Sequence, residues 1–202
     1  MKLNRLFTTS IITVSLLSCG KEEKETKQEI ITGEKISYTL IPDSCKVMWK
    51  GSILGVKFHT GTVAVKEGTI DVAGNQLQGG SFTVDLTKIT ATDNNYQPGK
   101  GTKEELIAHL SSPDFFSINE FPTASFVIKG VQGNVAFGDL TVKGKTNEEK
   151  ITDITIIPFD GGIRATGKMV FDRQKYGVSF KVPGEAVLSD NIELEISIVA
   201  KK

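Results

Sequence analysis

Cysteine, histidine and proline are scarce in this chain. Among 202 residues there are two Cys, two His and six Pro. A metal site needs three or four convergent ligands. Two separated histidines, His59 and His109, and no metal-type cysteine spacing make a poor case for a bound metal. Charge of one sign is also lacking, with 24 Lys and Arg against 24 Asp and Glu. That balance argues against a nucleic-acid surface, which needs clustered positive charge. The uncharged apolar stretch from Leu6 to Leu17 is about twelve residues, short of the roughly twenty that cross a bilayer. No serine lies in a nucleophile-elbow pattern, and Cys45 lies in no catalytic-cysteine pattern. Gly138 to Thr146 holds glycines and lysines but lacks phosphate-loop spacing; Thr141 to Lys145 alternates instead and predicts a strand, with Leu140 and Val142 inward. No cofactor is implied, and no catalysis is expected.

What is present begins with a targeting segment. Lys2 and Arg5 precede the uncharged stretch, which has signal-peptide length. It ends in Leu16-Leu17-Ser18-Cys19. This resembles a lipobox, the site where bacterial lipoproteins are acylated on cysteine. The resemblance implies a signal peptide over residues 1–18, lipid attachment at Cys19, a charged tether over 19–34 and one domain over 35–202. It also implies a membrane as partner through the Cys19 lipid, and a location in the cell envelope. Gly20 in place of an aspartate implies the outer membrane. Lys21-Glu22-Glu23-Lys24-Glu25 resembles an export signal to the cell surface, leaving the periplasmic face and the surface both open. Cys45 then remains a single thiol. Removing residues 1–18, with their two cations, leaves a net charge of −2.

From about Ile36 onward the apolar residues recur every second position. Ser81 to Thr87 alternates, and so does Asn191 to Ile198. Ile163, Ala165, Gly167, Met169 and Phe171 share one face of a further run, with Arg164, Thr166 and Lys168 opposite. Strands with one apolar and one polar face belong to antiparallel sheet. Turn signals fall at Lys66-Glu67-Gly68, Ala73-Gly74-Asn75, Gly130 to Gly133, Asn147 to Lys150 and Asp160-Gly161-Gly162. Eight or nine strands result, and they must close or pair to hide their edges. Thr102-Lys103-Glu104-Glu105 fits a capping box, so one helix over Thr102 to Ser111 is predicted, with Leu106, Ile107 and Leu110 as its apolar stripe. It lies in a long connection from about Thr90 to Phe121, the length of a functional or lid-like segment. Asp85 and Asp93 flank that connection and read as solvated. Trp49, Phe58, Phe82, Phe126, Phe137 and Phe171 read as core aromatics.

An ordered set of segments then resembles the YceI-like family of lipid- and polyisoprenoid-binding periplasmic proteins. The set is Ile41-Pro42-Asp43-Ser44 with Val47 and Trp49, Phe58-His59-Thr60-Gly61, Gly79-Gly80-Ser81-Phe82, His109 to Phe116, Phe121-Pro122, Gly138 to Thr146, and Phe171-Asp172-Arg173 with Gly177-Val178. The chain departs from the family pattern at Leu106-Ile107-Ala108, where an arginine-aspartate pair is usual. The resemblance implies a lipocalin-like antiparallel barrel of about eight strands and a cavity for one polyisoprenoid or fatty-acyl chain. Strand parity places Phe82, Val84, Phe126, Ile128, Leu194 and Ile196 on the inner face, as the expected cavity lining. Arg173 and Lys175 are the candidates for an anionic head group. His59 and His109 read as structural or as contacts at the ligand rim. The expected function is a lipid-binding lipoprotein that sequesters or carries its ligand. The alternatives are a barrel plugged by its own side chains, serving as an interaction module, and an enzyme acting on an isoprenoid or quinone.

Overall fold

The structure, a computed structural model, describes residues 33–96, 101–182, 184 and 186–202. The expected signal segment, Cys19 and nearly all of the expected tether lie outside the described residues. Nine strands follow in order: β1 (Lys35–Leu40), β2 (Lys46–Ile53), β3 (Lys57–Ala73), β4 (Gln76–Ala91), β5 (Thr123–Gln132), β6 (Val135–Val142), β7 (Lys145–Phe159), β8 (Gly162–Asp172) and β9 (Leu188–Lys201). One helix, α1 (Lys103–Ser111), separates β4 from β5. All pairings are antiparallel, and β3 pairs β4 to close the sheet on itself.

The barrel has eight lanes rather than nine, because β1 and β2 share one. β1 pairs β3 at Lys35–Thr39 and touches β9 at Thr39 and Leu40, while β2 pairs the other half of β3 and most of β9. A short 3-10 turn, Pro42–Ser44, interrupts the lane. Proline cannot donate to a ladder, which favours a break there. The gap is filled locally: Ile41 N donates to Val199 O (2.8 Å), and the Cys45 thiol donates to the same carbonyl (3.4 Å). Burial pushes the Cys45 thiol up from its ordinary value, against reactivity as a thiolate.

β8 follows its predicted alternation, with Ile163, Ala165, Gly167, Met169 and Phe171 buried and Arg164, Thr166 and Lys168 exposed. Three sequence expectations need correction. Lys66-Glu67-Gly68 is no turn; β3 runs through it with a register shift between Val65 and Glu67. Gly68 is required there because a Cβ would lie 2.4 Å from Ser81 O. Asn147 to Lys150 is likewise inside β7. Thr141 to Lys145 is not one strand: Lys143 (φ 49°) and Gly144 (φ 70°) turn the chain between β6 and β7. Positive φ at both central residues is the demand of a two-residue hairpin turn, met here by Gly144 and by a lysine. Leu140 and Val142 do face inward.

Strand direction sorts the connections into two ends. The turns at Gly74, Gly133 and Gly161 share one end with Lys35 and the carboxyl terminus. The β2–β3 hairpin, the connection holding α1, the Lys143-Gly144 turn and the β8–β9 connection share the other.

Candidate functional site

The barrel interior differs between its ends. Toward the end with the chain termini, Leu40, Ile70, Val72, Ile163, Ile198 and Ala200 are buried in one packed cluster. Toward the other end lies a cavity of about 300 Å³. That volume is at the lower limit of ordinary ligand pockets. Its depth is built by Val47, Val63, Phe126, Met169 and Ile196, and its outer part by Ile53, Lys57, Phe180, Val182 and Leu188. The lining becomes exposed at Lys57, which marks the mouth.

The walls combine strands with the two long connections. On β2, Trp49 donates its indole N–H to Thr90 O (3.2 Å), so its polar atom is satisfied. Gly61 pairs with Trp49 and leaves space for that ring: a Cβ would come within 2.5 Å of it. α1 begins at the predicted cap: Glu105 N donates to Thr102 Oγ1 (3.2 Å), and Thr102 N donates to Glu105 Oε2 (2.8 Å). Its Leu106, His109 and Leu110 join the lining. The His109 ring meets Phe180 and Phe115 edge-on, at 4.5 and 4.9 Å between centroids. Lys143 Nζ donates to Pro113 O (2.6 Å), tying the end of this connection to the β6–β7 turn.

Of the residues singled out by strand parity, Phe82, Val84, Phe126, Leu194 and Ile196 line the cavity. Ile128 does not; it is half-buried against the packed cluster, beside the register shift between Ile128 and Gly130. Trp49 and Phe171 also line the cavity, whereas Phe58 and Phe137 face outward, a correction to the expectation of core aromatics.

The expected head-group pair separates. Arg173 is 2% exposed, and it lines the cavity. Its guanidinium ties the β8–β9 connection to the start of β9, donating to Val178 O (2.5 Å) in the first and to Ser189 O (3.0 Å) and Asp190 Oδ1 (3.0 Å) in the second. It therefore holds the wall of the site. Lys175 lies outside the lining, ion-paired to Glu149 at 3.0 Å.

A polar cluster near the mouth was missed by the sequence reading. Asp93 is not solvated: its side chain is 5% exposed. It accepts from Thr60 N (2.9 Å), Asn95 N (2.9 Å) and the Tyr96 hydroxyl (3.2 Å), and lies 3.2 Å from His59 Nδ1. Burial opposes its charge, but the two amides and His59 outweigh that and hold the carboxyl below its ordinary value. Burial, then the charge of Asp93, pushes the Tyr96 phenol up to about 12. An ionised Asp93 only accepts, so a neutral His59 carries its proton on Nδ1 and keeps Nε2 as acceptor. His59 lines the cavity. The polar lining is Lys57, His59, Ser125, His109 and Arg173; among the described residues no carboxylate takes part. A second signal was available in the sequence: Val178, Phe180 and Val182 alternate, and all three line the cavity without belonging to a strand.

Three comparisons bear on this architecture. The sequence model of the YceI-like domain matches residues 38–200. UPF0312 proteins of Staphylococcus aureus are similar: that of strain USA300 is 35% identical over 125 residues, covering 56% of this chain and 72% of that protein. The one from bovine strain RF122 is 38% identical over 100 residues, covering 44% and 57%. Among solved structures, Burkholderia cenocepacia BcnA superposes with a TM-score of 0.61 at 17% identity, covering 80% of this chain and 99% of that one. A polyisoprenoid binding domain from Saccharophagus degradans gives 0.56 at 9% identity, covering 81% and 97%. At such identities the two structures speak for the fold.

Proposed function

Since the chain belongs to the family of YceI-like domains, we propose that its barrel binds one apolar lipid chain, polyisoprenoid or fatty-acyl, and sequesters or carries it. The observation that carries this reading is the apolar cavity in one half of an otherwise packed barrel. The likeness to a polyisoprenoid binding domain supports the isoprenoid choice. Binding would draw on apolar contact, about 0.8 kcal/mol per buried methylene, and so would select chain length more than chain identity. The proposed role is binding rather than catalysis. The filled half of the barrel favours the second reading, an interaction module. The same proposal includes an acyl anchor on Cys19 that keeps the protein on an envelope membrane, most simply the outer membrane.

One preparation tests both parts. The full chain is fractionated, purified in mild detergent, extracted with solvent and examined by mass spectrometry. A polyprenyl or acyl lipid near one per chain is expected, from protein found with membranes; Cys19→Ala should be soluble or remain an uncleaved precursor. Folded protein that never yields a lipid overturns the cavity reading. A Cys19→Ala chain that is processed yet still membrane-bound overturns the anchor.

A further inference from the structure

The mouth of the cavity is flanked on one side by exposed apolar side chains. Leu54 (57% exposed) and Val56 (67%) flank Gly55 at the tip of the β2–β3 hairpin, and Phe58 (46%) follows on the outer face of β3. Leu54 N donates to Val187 O (2.8 Å), which brings Val187, 57% exposed, to the same place. These four are half of the large hydrophobic residues exposed among the described residues. A water-facing hairpin tip is ordinarily polar, and clustered exposed apolar groups mark a protein or membrane contact.

Two observations choose between those contacts. The patch is continuous with the cavity: Ile53 and Lys57 line the opening, and Leu54 and Val56 sit between them in sequence. Leu188, next to Val187, lines it too. The charge on the hairpin is also positive. From Lys50 to Lys57 it carries two lysines and no acid. Lys50 is paired with Glu193 at 3.0 Å and lies over the Phe58 ring. Lys57 and Lys181 have no ion-pair partner among the described residues. An apolar tip beside unpaired lysines suits a bilayer with anionic head groups, where apolar burial and attraction of cations add.

We propose that the β2–β3 hairpin, with Val187, is a docking surface for an anionic lipid bilayer, through which the lipid passes between membrane and cavity. The proposal rests on the lipid-binding reading. It gives the ligand a route that avoids bulk water, since the patch would lie within the bilayer surface while the mouth faces the lipid.

The test compares the full chain with its Leu54→Ser/Val56→Ser/Phe58→Ser variant, all three positions being exposed and outside the lining. A fluorescent fatty-acyl probe is offered in two forms: as dilute monomers, and within vesicles of phosphatidylcholine with or without phosphatidylglycerol. Both proteins should take up monomers equally. From vesicles the variant should be slower by about tenfold or more, because each apolar side chain returned to water weakens docking on that scale. Phosphatidylglycerol should speed the unsubstituted chain. Equal vesicle rates for the two proteins overturn the docking surface and leave the cavity reading standing. Uptake by neither protein from either source overturns the cavity reading itself. Loss of monomer uptake in the variant also overturns docking, since the residues would then act in the cavity. Sedimentation showing a dimer that the variant dissolves would assign the patch to a second copy and overturn the membrane partner.

Discussion

Asp93 shows how one buried carboxylate can fix the chemistry of a cavity mouth. Its acceptors are used by two backbone amides, a phenol and an imidazole. Because its folded pKa is depressed, its contribution to stability is fully present above the unfolded value, about 3.9, and is lost as pH falls through the folded value. Asp93→Asn removes the charge, and whichever way its amide turns, the NH2 group meets a backbone N–H that the carboxylate now accepts. The variant should lose about 1–3 kcal/mol at neutral pH, the cost of leaving a buried donor without its acceptor. Thermal melts at pH 7, 4 and 3 check this: the gap between the two proteins should narrow below about pH 4. A gap that stays constant down to pH 3 would mean the carboxylate charge is not what the cluster uses. Arg173 carries a related lesson. In the sequence Arg173 and Lys175 read as cations for a head group, but a buried guanidinium that donates to two carbonyls and to Asp190 is tying a connection to β9.

Elements were legible in the sequence wherever a local rule governs them. The capping box at Thr102 set the start of α1 because two reciprocal hydrogen bonds decide it. Thr102→Ala should therefore cost about 1 kcal/mol, with Thr102→Ser restoring most of it. Since α1 supplies Leu106, His109 and Leu110 to the cavity wall, the alanine variant should also release a bound acyl probe faster. An unchanged melting curve and release rate would show that the cap does not limit the wall. The period of two gave β8 and β9 for the same local reason. What it missed depends on partners distant in sequence. Lys66-Glu67-Gly68 reads as a turn until β4 passes against Gly68, when the same residues become a bulge. Ile128 has the right parity for the lining, but the shift at Gly130 and its place along β5 leave it in the packed cluster. The His59–Asp93 contact joins residues 34 positions apart, and no local pattern announces it.

At the scale of the whole molecule, the barrel is packed in one half and hollow in the other. With an open apolar cavity of about 300 Å³ in one half, the barrel relies on its closed ladder and its packed half, and an occupant of the hollow half should stabilise it. A ligand that binds only the folded chain adds about 2.7 kcal/mol at a hundred times its dissociation constant. For a domain of this size that corresponds to a rise in Tm of roughly 5–10 °C. Ala124 lines the cavity as the cross-strand partner of Val84, so Ala124→Trp places a ring where the lipid would lie. Delipidated protein should melt at a higher temperature as a long-chain acyl lipid is added. Ala124→Trp should begin no less stable than the delipidated parent, carry little lipid and respond weakly to its addition. If instead the parent ignores lipid and Ala124→Trp loses about 1–3 kcal/mol, the cost of overpacking a filled core, the hollow half is not a lipid site and the barrel acts through its outer surface.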